Sequence, residues 1–321
     1  MELKKLLVVT WVTVWACLWG AGRGDASYRD QVAPQVTHDS GDASYMDQVA
    51  PLASHGQYLS PLSDRDRARI LRYRWPDKII PLAFSHFYAE KYKSLVYQAM
   101  DLFNDLTCVR VINATNMETY HIRVMFSDDC GAVQGYFGPK DGFQEVHLGA
   151  GCFVALGYPV HELMHAMGFR HQHVRFDRDD NILVLRENIF ANDYKDNFAI
   201  NKRKGDYLWT MGLPYDFNSV MQYPEDAFGY DRAHLPTMKP KVPFNGWLGQ
   251  VEGPSRSDIA MINRYYECWD HYLGDDILDA VPYEEFHTVL TGTYKGKVDE
   301  PKPFSNNFKN WLLKMKSLEN R

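Results

Sequence analysis

His161-Glu162-Leu163-Met164-His165-Ala166-Met167-Gly168-Phe169-Arg170-His171 sets three imidazoles, one carboxylate and one glycine at spacings that a single geometry explains. Residues four apart on a helix share a face, so His161 and His165 can grip one metal ion while Glu162 stands beside it. Gly168 then ends the helix. Glycine tolerates the left-handed backbone that reverses the chain, and His171 returns from the following loop as a third ligand. Three protein ligands leave one coordination position open, whereas a structural zinc is usually closed by four ligands, commonly cysteines. The pattern points to one Zn2+ per chain held by His161, His165 and His171. Glu162 is then the general base and acid for peptide-bond hydrolysis by a zinc-activated water.

The rest of the chain says where such chemistry would operate. Lys4 and Lys5 precede an apolar run from Leu6 to Trp19 and the small residues Gly20, Ala21 and Gly22, so residues 1–22 read as a secretory signal peptide. The run is too short to span a bilayer comfortably, and a secreted, extracellular product is expected. Cys17 leaves with that segment. Of five cysteines, four then remain (Cys108, Cys130, Cys152 and Cys268), and an even number in an oxidising compartment predicts two disulfides in one of three pairings. Asn113-Ala114-Thr115 is a glycosylation sequon. The 321 residues, 45% hydrophobic and 14% aromatic, supply one large core. A formal charge of -6 offers no basic surface for nucleic acid.

Residues 23–65 are polar and turn-rich, and Gly24 to Pro34 returns in near copy at Gly41 to Pro51. Two copies cannot stack into a solenoid, so a pro-segment is the reading. Arg65, Arg67, Arg69, Arg72 and Arg74 form a basic hinge before Trp75-Pro76, suited to an activating protease of trypsin-like specificity. Folded structure is expected from Trp75. Lys78 to Phe84, Val109 to Ile112, His121 to Phe126 and Glu145 to Leu148 read as strands, and Tyr88 to Leu106 as a core-packed helix. A short helix is expected from Ser257, as N-cap, through Cys268. Residues 269–321 carry no cysteine, so no disulfide-rich accessory module is predicted there. Phe304, Phe308, Trp311, Leu312, Met315 and Leu318 make an apolar stripe over a helix at 304–318. That helix can dock on its own domain, on a membrane surface or on a partner.

From Trp75 to Cys268 the chain resembles the astacins, a family of metzincin zinc endopeptidases. His171 to Asp179 is similar to the family's H-E-x-x-R-x-D-R-D, with Gln172 in place of the acidic residue. Ser219-Val220-Met221-Gln222-Tyr223 is similar to its Met-turn S-x-M-H-Y, with Gln222 in place of histidine. Serralysin-like enzymes typically lack cysteines, and matrixins lack the tyrosine. The resemblance implies an α+β fold of two subdomains: an N-terminal twisted sheet with long helices, an active-site cleft and a more irregular C-terminal subdomain. It further implies a peptidase domain at 66–268 and the pairings Cys108 with Cys268 and Cys130 with Cys152. Met221 would floor the histidines, and Tyr223 would be an extra zinc ligand that swings away to stabilise the oxyanion. Gln144 to Leu148 would be the edge strand pairing with an extended protein or peptide substrate. Asp25 or Asp42 would block the zinc in the pro-form. The alternative is a catalytically inactive secreted astacin-like binding module, which the two glutamines would suit.

Overall fold

The computed structural model describes residues 63–86, 88–115, 120–138, 142–200, 206–293 and 305–319. The expected signal peptide, the repeat, and Asp25 and Asp42 lie outside the described residues, as does Phe304. The first half runs α1 (Asp64–Leu71), β1 (Ile79–Phe84), α2 (Glu90–Leu106), β2 (Arg110–Asn113), β3 (His121–Met125), β4 (Cys130–Ala132), β5 (Phe143–Leu148) and α3 (Gly157–Ala166). The second half has α4 (Arg178–Asn181), β6 (Ile182–Val184), α5 (Ala191–Asn197), β7 (Met238–Pro240), α6 (Arg256–Tyr265), α7 (Tyr283–Thr291) and α8 (Asn306–Glu319). The mixed sheet and its helices bear out the α+β expectation.

Alternation of side chains builds the sheet. Ile80 and Leu82, Ile122 and Val124, and Val146 and Leu148 are buried on one face, as period-two strands with one covered face require. The order is β2-β1-β3-β5-β4, parallel throughout except for β4. Val96, Ala99, Met100, Phe103 and Leu106 form the buried stripe of α2. This helix starts later than the periodicity suggests: Tyr88 precedes it, buried, with its hydroxyl donating to Leu148 O at 3.2 Å.

Three expectations need correction. Gln144 to Leu148 is not the edge of the sheet, because β5 pairs with β3 on one side while Val146 to Leu148 pair with β4 on the other. The edge on that side is β4, a three-residue strand too short to show alternation. The arginine-rich segment is not a hinge. Ser63 caps α1, its Oγ accepting from Asp66 N, and Ile70 is fully buried with its carbonyl accepting from Tyr265 Oη at 2.7 Å. Ile70, with Leu71 packed against the same core, docks this helix among its arginines. The N-cap of α6 is Ser255 instead of Ser257, in a reciprocal capping box with Asp258.

Two apolar clusters divide the molecule. The larger joins the sheet, α2, α3 and α6, and the smaller gathers Ile182, Ile189, Phe198, Tyr223, Ala227, Met238 and Leu248. Between them passes the turn Ser219 to Tyr223, with Val220 and Met221 in the first cluster and Tyr223 in the second. Disulfides join Cys108 to Cys268 and Cys130 to Cys152. The first closes a loop of 160 residues, a restraint on the unfolded chain worth about 5 kcal/mol in the entropy model.

The segment after Cys268 adds two packed helices. Tyr283, Phe286 and Leu290 of α7 are fully buried, each contributing roughly 1.5 to 3 kcal/mol of transfer free energy. The α8 helix seats Phe308 and Met315 against the body, Phe308 meeting Tyr272 at 5.6 Å between ring centroids. Its Asn307 donates to Asp105, and its Lys316 pairs with Asp276 at 3.0 Å. Among the alternatives for this stripe, docking on its own domain is what the structure contains. No helix among the described residues is long and apolar enough to cross a membrane.

Candidate active site

The zinc-type motif lies on α3 and the turn after it. Gly157 opens the helix where a Cβ would sit 2.3 Å from Val251 O, and its amide donates to that carbonyl at 2.8 Å. No larger residue fits this approach. At the other end Gly168 adopts φ +112°, and Gly168 N and Gly135 N donate to His165 O. The terminal carbonyls that an isolated helix leaves open also find donors, Trp75 Nε1 for Ala166 O and Tyr266 Oη for Met167 O. These contacts fix where the chain reverses, and so where His171 arrives.

His161, His165 and His171 converge, with ligand atoms within 4.8 Å of one another. His161 Nε2 lies 3.2 Å and His165 Nε2 2.9 Å from His171 Nε2. Their other nitrogens are committed, His161 Nδ1 to Val220 O at 2.7 Å and His165 Nδ1 to Phe169 O at 2.8 Å. A carbonyl can only accept, so those Nδ1 atoms carry the protons and the Nε2 lone pairs face inward. Burial pushes the imidazoles down, His161 to about 3 and His165 to about 4, and His171 well below its ordinary value, with mutual repulsion adding to the effect at His161 and His171. Neutral imidazoles aimed at one point repel unless a cation joins them. Tetrahedral zinc with Zn–N near 2.05 Å would set nitrogens about 3.3 Å apart, against 3.2 and 2.9 Å observed, so small ring shifts admit the ion. The residues therefore fit Zn2+.

Glu162 follows His161 on α3, only 5% exposed, its side chain leaving the helix about 100° from that of His161. The turn beneath the triad is tied at each residue. Ser219 Oγ donates to Asp258 Oδ1 at 2.6 Å, Val220 N to Asp258 Oδ2 at 2.8 Å, and Gln172 N to Met221 O at 2.8 Å. Val220 thus links the buried carboxylate of α6 to His161. Burial pushes the Asp258 carboxyl up, while its hydrogen bonds pull it back. Met221 is buried as expected of a floor. The ring of Tyr223 stacks at 4.1 Å on His173 and lies 4.3 Å from His171.

Asp258 and His173 had no role in the sequence reading. The pattern Ser255-x-x-Asp258 is a capping-box signature that could have flagged the first. His173, whose Nε2 meets Asn197 O at 2.9 Å, carries no sequence signal separating it from a surface residue.

Residues 68–267 match the model of the astacin family of peptidases. High choriolytic enzyme 1 of Oryzias latipes is 38% identical over 193 residues, covering 59% of this chain and 66% of that protein. Low choriolytic enzyme of the same fish is 34% identical over 203 residues, 61% of this chain and 69% of that protein. Other relatives are much longer, and this chain spans 27% of Bone morphogenetic protein 1 of Xenopus laevis and 48% of Zinc metalloproteinase nas-7 of Caenorhabditis elegans. A solved structure of High choriolytic enzyme 1, described as a hatching enzyme zinc-protease, superposes with a TM-score of 0.54 at 30% identity, covering 61% of this chain and 93% of that one. With the family model matching more than half of the chain, residues 68–267, and the histidine triad closed on one point, this chain belongs to the astacin family.

Proposed function

We propose that the protein is a secreted zinc-dependent endopeptidase, with His161, His165 and His171 as metal ligands and Glu162 as general base and acid. The observation that carries this reading is the convergence of three ring nitrogens, two of whose partner nitrogens are pinned to backbone carbonyls. A bound Zn2+ supplies Lewis-acid activation of a water and of the scissile carbonyl. Glu162 takes the proton from the attacking water and returns it to the departing amine. Tyr223 would help hold the metal as a further ligand, and its phenol donates a hydrogen bond to the oxyanion as charge develops. The outer edge of β4 offers an extended substrate its unpaired backbone groups. Substrates are proteins or peptides.

Zinc analysis combined with casein cleavage tests this. One zinc per chain with turnover is expected, and Tyr223→Phe should keep the zinc while slowing turnover roughly ten- to a thousandfold. Zinc without any turnover in the processed protein would select the inactive binding module instead.

Secretion, processing by an activating protease and glycosylation belong to the same proposal. Asn113 ends β2 and is exposed, as is Thr115, so the sequon is accessible. Non-reducing peptide mapping of protein collected from a secreting cell should recover both disulfides and a glycan on Asn113, with residues 1–22 absent. A product retaining the apolar run Leu6 to Trp19 would contradict secretion through a cleaved signal.

A further inference from the structure

The strap Leu213 to Asp216 runs between the His171 loop and the turn that carries Tyr223, held by buried side chains from both. Arg175 donates from Nη1 to Pro214 O at 3.0 Å and from Nη2 to Leu213 O at 3.1 Å, its guanidinium fixed by both carboxylate oxygens of Asp177. Gln172, 2% exposed, has one amide orientation that turns its oxygen toward donors. In it, Oε1 accepts from Asp216 N at 2.8 Å and Arg175 Nη1 at 3.2 Å. Gln222, also 2% exposed, accepts from Tyr215 Oη at 2.6 Å and donates from Nε2 to Tyr223 O at 3.0 Å. The Tyr223 carbonyl can only accept, so the Gln222 amide nitrogen faces it and the amide oxygen is left to accept from the Tyr215 hydroxyl.

Ser219, Val220 and Met221 are each tied to α6, α3 or the His171 loop. Beyond Met221, Gln222 N donates to Ser219 O within the turn and the Tyr223 ring stacks on His173, while the Gln222 side chain adds the hydrogen bonds that join this step to the strap. We propose that Gln222 is a positioning residue for catalysis, fixing Tyr223 against the histidine triad through the strap that Gln172 and Arg175 anchor. The inference rests on the role proposed above for Tyr223. The site demands one acceptor for a phenol and one donor for a carbonyl, both buried and both without charge. A glutamine amide supplies the pair, and so does a neutral imidazole, with one ring nitrogen of each kind. That equivalence accounts for glutamine standing here where the family pattern has histidine. The two departures at Gln172 and Gln222 thus belong to one satisfied network, which is not the mark of a decaying site.

The test is a double-mutant cycle on the secreted, processed protein, using a fluorogenic peptide that the wild type cleaves. Gln222→Met removes both hydrogen bonds at similar volume. It should lower kcat roughly three- to tenfold, as loss of one to two net hydrogen bonds predicts, with KM within about twofold and zinc content unchanged. Gln222→His should restore most of the loss. In a Tyr223→Phe background Gln222→Met should cost nothing further. The same fold-loss in both backgrounds, or loss of zinc, overturns the positioning role. If Gln222→Met does not fold, Tyr215→Phe, which deletes one oxygen, passes through the same cycle with the same expectations. A Tyr223→Phe enzyme of wild-type activity would overturn the tyrosine's role and this inference with it, whereas a slow Tyr223→Phe enzyme with additive Gln222→Met overturns positioning alone.

Discussion

Glu162→Gln is expected to lower turnover by roughly two to four orders of magnitude while zinc stays at one per chain, the range that removal of a positioned general base produces. The amide keeps the volume and the hydrogen-bonding reach of the carboxylate, so α3 and the three histidines have no reason to move. What it lacks is a basic oxygen. Without it the attacking water is not deprotonated in the transition state, and the departing amine receives no proton. The loss should fall on kcat, with substrate binding little changed, since the β4 edge is untouched. Zinc analysis and steady-state kinetics on one preparation check this, and an active Glu162→Gln enzyme sinks the proposed mechanism.

His165→Ala should lose metal and activity together. His165 contributes one of three converging nitrogens, and its removal leaves a pair that water and buffer compete with readily. The second consequence concerns stability. A metal that binds the folded chain and not the unfolded one stabilises it by mass action, so the wild type should melt lower after chelation and recover on adding zinc. The variant should show neither response. The expected pattern is zinc well below one per chain, no detectable cleavage, and a melting temperature indifferent to chelator. Retention of stoichiometric zinc in His165→Ala would show that the metal sits elsewhere.

The motif from His161 to His171 was legible without a structure because its information is local. Helical periodicity places residues four apart on one face, and a glycine in a left-handed conformation marks the reversal. The buried strands and the stripe of α2 were legible for the same reason, alternation and 3.6-residue periodicity surviving in the sequence. The failures had equally physical causes. A strand of three residues, β4, is too short to show alternation, and whether β5 is an edge depends on what pairs beside it. In α1 one buried isoleucine outweighs the arginines that give the segment its hinge-like composition.

The sequence by itself determined the histidine triad, the glutamate beside it and the helical frame that carries them, since each follows from neighbours within one or two turns. Only the tertiary structure decided that α7 and α8 pack on the body, that Asp258 holds the turn beneath the triad, and that Gln172 and Gln222 hold one strap. Those facts depend on contacts between residues far apart in the chain, 38 positions separating Asp258 from Val220. A buried hydrogen bond of that kind is specified by the shape that burial creates, and no local pattern records it.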